Sequence, residues 1–377
     1  MAGAATSGVE QGEAVTSLLA GAAGVAETVA AAAGGAVTIT VPLTLTIALG
    51  QPGAPGPGPA PAPLPGPPPP REPARSLPAT FAGRTGFDRD FLGVRVELPA
   101  IKPAPRFGAA LVVPPERRSH AEDASELRYE HVSLIMNGPR RTAYLAAVNI
   151  DYAAPFRESR PNSESWMLDG RLADADQLDN RYYEGNDYDR GHLAMRADAS
   201  WGMTRDEAVR GNLESFHWTN CALQHKLFNQ SSGRRLWGDL ENHIAAQGRG
   251  QRSRLSIFNG PVFADDDRPM KDARVPGQYW KIVVWKDAGD ATPGAVGFVL
   301  DQRDLIRDMP IEAIDPGAFS IRQKRIADID AMLDVDLSGL VAFDRFALVE
   351  GVESAAGDAE SILIRSLEDV AVQRVHA

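Results

Sequence analysis

Residues 188–194 read YDRGHLA and residues 219–230 read TNCALQHKLFNQ. In the first string Gly191 has no side chain to hold a ligand away from the backbone, and Arg190 and His192 flank that gap with polar groups. Taken alone, the stretch 189–192 equally describes an exposed turn. The sequence on either side decides between the two.

Upstream, 129–136 (YEHVSLIM) and 142–150 (TAYLAAVNI) are short apolar runs separated by NGPRR. Asn137-Gly138 is a strong turn signal, so a hairpin is predicted. Downstream, 255–263 (LSIFNGPVF), 279–286 (YWKIVVWK) and 295–301 (AVGFVLD) read as strands. Helical spacing occurs over 204–216, 234–246 and 319–333, with Leu236, Trp237, Leu240 and Ile244 on one face of the second. Strands and helices mix without regular βαβ alternation. That predicts an α+β fold with a mixed, mainly antiparallel sheet and flanking helices.

The ends of the chain have a different texture. Residues 51–78 hold 13 of the 28 prolines and read as a semi-rigid polyproline II linker. Ahead of it, 14–33 is alanine-rich with weak helical amphipathicity. Residues 37–48 (VTITVPLTLTIA) alternate like a strand, with Pro42 at an edge or bulge. This predicts four segments: a low-complexity N-terminal element at 1–50 serving as an adaptor or assembly piece, the linker at 51–78, the main domain at 79–345, and an acidic extension at 346–377. The extension has helical spacing over 359–375 at Ile362, Leu363, Leu367, Val370 and Val372.

The formal net charge of -11 argues at first against a nucleic-acid partner. It is unevenly spread: residues 1–78 carry a net -2 and 326–377 a net -8, which leaves 79–325 at -1. The acidity belongs to the ends. A single cysteine, Cys221, excludes an internal disulfide framework and any cysteine-based zinc or iron–sulfur site; it reads as a small buried hydrophobe. The first charges are Glu10 and Glu13, with no basic n-region of a secretory signal peptide. Residues 31–50 are uncharged, but four threonines, three glycines and a proline make them a poor membrane span. A cytoplasmic protein without membrane attachment is expected.

The two opening strings, together with several segments downstream, resemble the DNA/RNA non-specific endonuclease family of the ββα-metal (His-Me finger) superfamily. In that family a D-R-G-H strand is followed by an N-x-x-x-Q segment, an asparagine, and a W-x-x-x-E helix. This sequence supplies Asp189-Arg190-Gly191-His192, Asn220 with Gln224, Asn229, and Trp237 with Glu241. Gly260-Pro261-Val262-Phe263, Tyr279-Trp280-Lys281, and Phe298 with Asp301-Gln302 match later strands of the family. The resemblance covers roughly residues 85–345 and implies a ββα-metal core. It departs at one point: Asn229 and Trp237 are eight residues apart, farther than the family's spacing, with Ser231-Ser232-Gly233-Arg234 between them.

Phosphodiester hydrolysis needs an activated water, stabilisation of charge on the phosphorus oxygens, and help for the departing 3′-oxygen. Histidine can be a neutral base near pH 7, and His192 takes that role. The resemblance makes Asn229 the protein ligand of Mg²⁺ (or Mn²⁺), an ion that keeps most of its waters. It implies that Glu241 holds those waters and that Arg190 meets the phosphate through its planar fork. Asn220 would orient the phosphate or the histidine. Other readings stand beside these: Asn229 as a helix cap, Glu241 as a solvated helix residue, Arg190 as the ion-pair partner of Asp187 or Asp189. Arg157, Arg160, Arg171 and Arg196 could contact the phosphate backbone but read as surface arginines outside the catalytic set, His217 and His225 as packing or surface residues, and Asp265-Asp266-Asp267 as a solvated turn.

The activity so implied is metal-dependent hydrolysis of DNA and RNA leaving 5′-phosphate ends, in keeping with a defence effector or a delivered toxin. The competing expectation is a catalytically silent nucleic-acid-binding or interaction module. Residues 1–78 are expected to tether a regulatory partner, and 359–375 to pack on the domain or join two copies in a homodimer.

Overall fold

The computed structural model describes residues 29–31, 37–39, 74–118, 124–229, 240–242, 244–246, 253–287, 290–306, 321–346 and 361–364. Contacts divide the chain into two units, Met1–Pro69 and Pro70–Ala377. In the first, Val29–Ala31 pairs antiparallel with Val37–Ile39. The former falls inside the helix predicted over 14–33. Its Val-Ala-Ala sequence is short and apolar enough to suit either state, and Gly34-Gly35 supplies a turn composition between the two strands. The rest of 1–50 and residues 51–73 lie outside the described residues.

The second unit is built on one eight-stranded sheet. Its order is Ser361–Ile364, Ile321–Lys324, Gly294–Asp301, Gln278–Trp285, Arg254–Val262, Thr142–Asp151, Val132–Asn137, Glu126–Arg128. Every neighbouring pair in it is antiparallel. The predicted hairpin is present as Val132–Asn137 with Thr142–Asp151, and all three downstream strands form where expected. A parallel pair outside this sheet, Arg75–Ser76 with Leu168–Asp169, makes the architecture mixed. It also draws the end of the expected linker into the folded unit, where Phe81 is buried.

The central strands are apolar on both sides because both faces are covered. Along Gln278–Trp285, Tyr279 and Val283 join a core that also contains Leu193, Ala222, Phe228 and Leu240. The alternate residues Trp280, Ile282 and Val284 pack on the other face with Ile326 and Ile329 of the helix Ile326–Met332 and with Phe87. The helix Arg205–Glu214 begins at a capping box in which Thr204 and Glu207 satisfy each other's backbone.

Two further helical readings are corrected. The spacing over 319–333 hides a break: Ile321–Lys324 is a strand, Arg325 is extended (ψ 141), and only Ile326–Met332 is helical. Within 359–375, Ser361–Ile364 is a strand on the sheet edge, with Ile362 and Ile364 buried in the core. Residues two apart share a strand face, so a run of four apolar-rich residues fits a sheet edge as readily as a helix.

Gly260 of the Gly-Pro pair carries a packing constraint: a Cβ there would lie 2.3 Å from the Tyr144 carbonyl oxygen. Because that atom is backbone, it has little room to yield. Gly260→Ala is expected to lower unfolding stability by about 1–3 kcal/mol in urea titrations. An unchanged midpoint would contradict the packing described.

Candidate active site

The strand Tyr188–His192 pairs antiparallel with Cys221–His225, and the short helix Lys226–Asn229 follows at once. Residues 240–242 and 244–246 are helical, with Leu240 buried and Ile244 packed against the same core. Trp237 and the 231–234 stretch lie outside the described residues. Arg190 and His192 therefore lie on the first strand, Asn220 on the turn Trp218–Asn220 just before the second, Asn229 on the short helix after it, and Glu241 on the helical segment 240–242. Gly191 is needed for a reason other than ligand approach: a Cβ there would meet the Gln224 side chain at 2.1 Å. Gln224 crosses over the glycine and is itself fully buried.

Four of the five residues selected from sequence, Arg190, His192, Asn229 and Glu241, line one cavity of ≈ 530 Å³. His192 is boxed between Trp166 (4.9 Å) and Phe216 (5.3 Å). Its Nε2 is buried and has no hydrogen-bond partner among the described residues. Burial pulls the imidazole pKa down to about 4, with the Glu164 carboxylate pulling the other way. The ring is neutral at pH 7 and able to accept a proton.

Asn229 donates from Nδ2 to the Asp189 carboxylate at 3.2 Å, an orientation that leaves its oxygen as the end able to bind a cation. Glu241 accepts from the ammonium of Lys281 at 3.0 Å. Arg190 has no carboxylate partner among the described residues. Asp187 pairs instead with Lys226 at 2.5 Å, and Asp189 holds Asn229. The Arg190 guanidinium donates to Asn180 and stands 5.8 Å from the Trp218 ring centroid.

Asn220 is the exception. Its side-chain oxygen accepts from Ala194 N (2.8 Å), and its nitrogen donates to the carbonyls of Ala194 (2.9 Å) and Ser215 (3.1 Å). It is 2% exposed and outside the cavity lining. The amide fastens the backbone just after His192, and its donors and acceptor are all spent there.

Three residues left outside the selected set stand at or next to the cavity. Arg160, which donates to Glu164, and Arg196 both line the cavity, so two of the four set-aside arginines belong to it. Of the other two, Arg157 donates to the carbonyls of Asp151 and Ala197, and Arg171 is buried against Asp169. Lys281 is the third; its strand motif was visible, but its partner is 40 residues away. His217 and His225 are buried packing residues as expected, and burial raises the Cys221 thiol to about 12. Asp267 departs from the solvated-turn reading: it is buried and bonded to Arg140 at 2.8 Å. Elsewhere, ligand atoms of Glu130, His131 and Glu207 lie within 4.8 Å of one another. They are already engaged: His131 Nε2 meets the Trp201 carbonyl at 2.9 Å and Glu130 pairs with Arg210 at 2.8 Å.

No helix among the described residues is long and apolar enough to cross a membrane. The sequence profile of the DNA/RNA non-specific endonuclease family matches residues 118–332. An uncharacterised protein of Sinorhizobium fredii, y4fB, is 31% identical over 311 residues, covering 80% of this chain and 45% of that protein. A protein of Nostoc sp. described as a nuclease is 28% identical over 190 residues, 44% of this chain and 63% of that one. The chain thus spans less than two thirds of each of these relatives. Among solved structures, the EndoG/EndoGI complex aligns with a TM-score of 0.43 at 16% identity, over 56% of this chain and 84% of that one.

Replacing Asn220 with alanine leaves buried backbone groups of Ala194 and Ser215 without partners. Asn220→Ala is expected to lose about 1–3 kcal/mol of stability. A variant with wild-type melting but no activity would return Asn220 to the substrate.

Proposed function

The chain belongs to the DNA/RNA non-specific endonuclease family, and from that premise we propose that it hydrolyses phosphodiester bonds in DNA and RNA with a divalent metal ion. The observation that carries this reading is the single cavity shared by Arg190, His192, Asn229 and Glu241.

The residues present fit a hard cation. Asn229 offers a neutral amide oxygen because its nitrogen is committed to Asp189, and Glu241 brings a carboxylate to the same cavity. Few protein oxygens and ample room for water suit Mg²⁺, with Mn²⁺ as the substitute. Asn229 would hold the ion and Glu241 its waters. When bound, the ion supplies positive charge to the phosphate and to the departing 3′-oxygen.

The rest is done by the chain. His192, neutral and with an unengaged buried Nε2, takes a proton from the attacking water. The water oxygen bonds to phosphorus as the bond to the 3′-oxygen breaks, and the departing 3′-oxygen takes a proton from solvent, leaving a 5′-phosphate and a 3′-hydroxyl. Arg190 meets the phosphate oxygens with its planar guanidinium, and Arg160 and Arg196 add positive charge along the cavity wall. Asp189 sets the asparagine, and Trp166 and Phe216 keep the imidazole in place.

The test is cleavage of supercoiled plasmid and of single-stranded RNA with Mg²⁺. The wild-type chain should cut both. EDTA should stop cleavage and added Mg²⁺ restore it. His192→Ala should lower the rate by about 10²–10⁴-fold with the same overall fold by circular dichroism. Full activity in His192→Ala would overturn the mechanism, and a wild-type chain that cuts neither substrate would favour the silent binding module.

A further inference from the structure

We propose that Lys281, the lysine of the Tyr279-Trp280-Lys281 motif, is a positioning residue that acts on the reaction through Glu241. This rests on the nuclease reading above and adds to it a role for a motif with no part in the mechanism so far.

Strand alternation puts Lys281 on the same sheet face as Tyr279 and Val283, which pack in one core with Phe228 and Leu240. Leu240 is the neighbour of Glu241 in the helical segment 240–242. Lys281 therefore reaches Glu241 from the sheet. Its side chain is 1% exposed, that of Glu241 is 10% exposed, and Nζ lies 3.0 Å from Oε1.

Stability does not explain this pair. Taking a lysine and a glutamate out of water is unfavourable enough that an apolar pair of the same volume commonly holds a fold as well or better. What an apolar pair cannot do is fix a carboxylate at a cavity wall. With Oε1 bound to a lysine that is itself packed in the sheet, Glu241 is held where it lines the cavity.

Charge gives a second reason. The arginines lining the cavity, Arg160, Arg190 and Arg196, are matched in number by Glu164, Asp189 and Glu241. The Lys281 ammonium just behind the wall offsets Glu241 and tips the neighbourhood positive, as an anionic backbone requires.

The experiment compares wild type, Lys281→Met, Glu241→Gln and the double variant as full chains. It measures Mn²⁺ affinity by calorimetry, kcat and KM on a DNA oligonucleotide, and melting temperature. Lys281→Met should lose about 10–100-fold in Mn²⁺ affinity or in kcat, with KM nearly constant. In the Glu241→Gln background, removing Lys281 should change neither quantity beyond about twofold. Lys281→Arg should recover part of the loss. A Lys281→Met protein with lower melting temperature but wild-type Mn²⁺ affinity and kcat would overturn the proposal, as would losses that multiply in the double variant. If Lys281→Met does not fold, the double variant, which removes both charges of the pair together, decides the matter. Equality with Glu241→Gln supports the coupling, and a further loss of about tenfold (about 1.4 kcal/mol) rejects it. Should the wild-type chain bind Mn²⁺ yet cut no nucleic acid, the nuclease reading falls while the Mn²⁺ affinities still report the coupling.

Discussion

The pairing of Tyr188–His192 with Cys221–His225 is the constraint on which the site depends. Its register sets His192 opposite Cys221, Gly191 opposite Ala222 and Asp189 opposite Gln224. The chain turns into Lys226–Asn229 directly after the second strand, which brings Asn229 beside Asp189. A slip of one residue would turn the strand's side chains to the opposite face and part the histidine from the asparagine. Two features hold the register. Gln224 fills the space a side chain at 191 would need, and Asn220 staples the backbone at Ala194.

Around that frame the acidic groups are spoken for. Asp189 holds Asn229, Glu164 holds Arg160, Glu241 meets Lys281, and Asp187 pairs with Lys226 outside the cavity. Arg190 is left over two aromatic rings with no carboxylate partner among the described residues. A cavity whose carboxylates are each tied to a donor repels a phosphate far less than their number suggests. Under the proposed function, a chain with a formal charge of -11 would accommodate a polyanion in this way: the surplus acid lies near the ends of the sequence, and the local acids are compensated.

Much of this was legible from residues alone, and the gaps follow a pattern. The hairpin at 132–151 and the strands at 254–262, 278–285 and 294–301 are long or well punctuated, so period and turn chemistry identify them. Ile321–Lys324 and Ser361–Ile364 are four residues each, too short for a period of two to be told from helical spacing. Whether such a segment is strand depends on a free sheet edge, which is a tertiary fact. The histidine, arginine and metal-side residues came from motif resemblance, and they do share one cavity. Asn220 belonged to the same motif, yet its amide is spent on backbone; a motif marks a residue as needed without saying for what. Arg160 and Lys281 are visible in the sequence, but their nearness to the cavity is a tertiary fact: Lys281 meets Glu241 across 40 residues.

The central claim is that the fold keeps His192 neutral and unengaged inside an aromatic box, ready to accept a proton. The most direct measurement is the pH dependence of kcat/KM at saturating Mg²⁺, which reports on groups of the free enzyme. Burial lowers the imidazole pKa to about 4, so the account predicts a rate that is level through neutral pH and falls only as the solution becomes acidic enough to protonate this half-buried ring. An acidic limb centred near the ordinary histidine value of about 6.5 would contradict it.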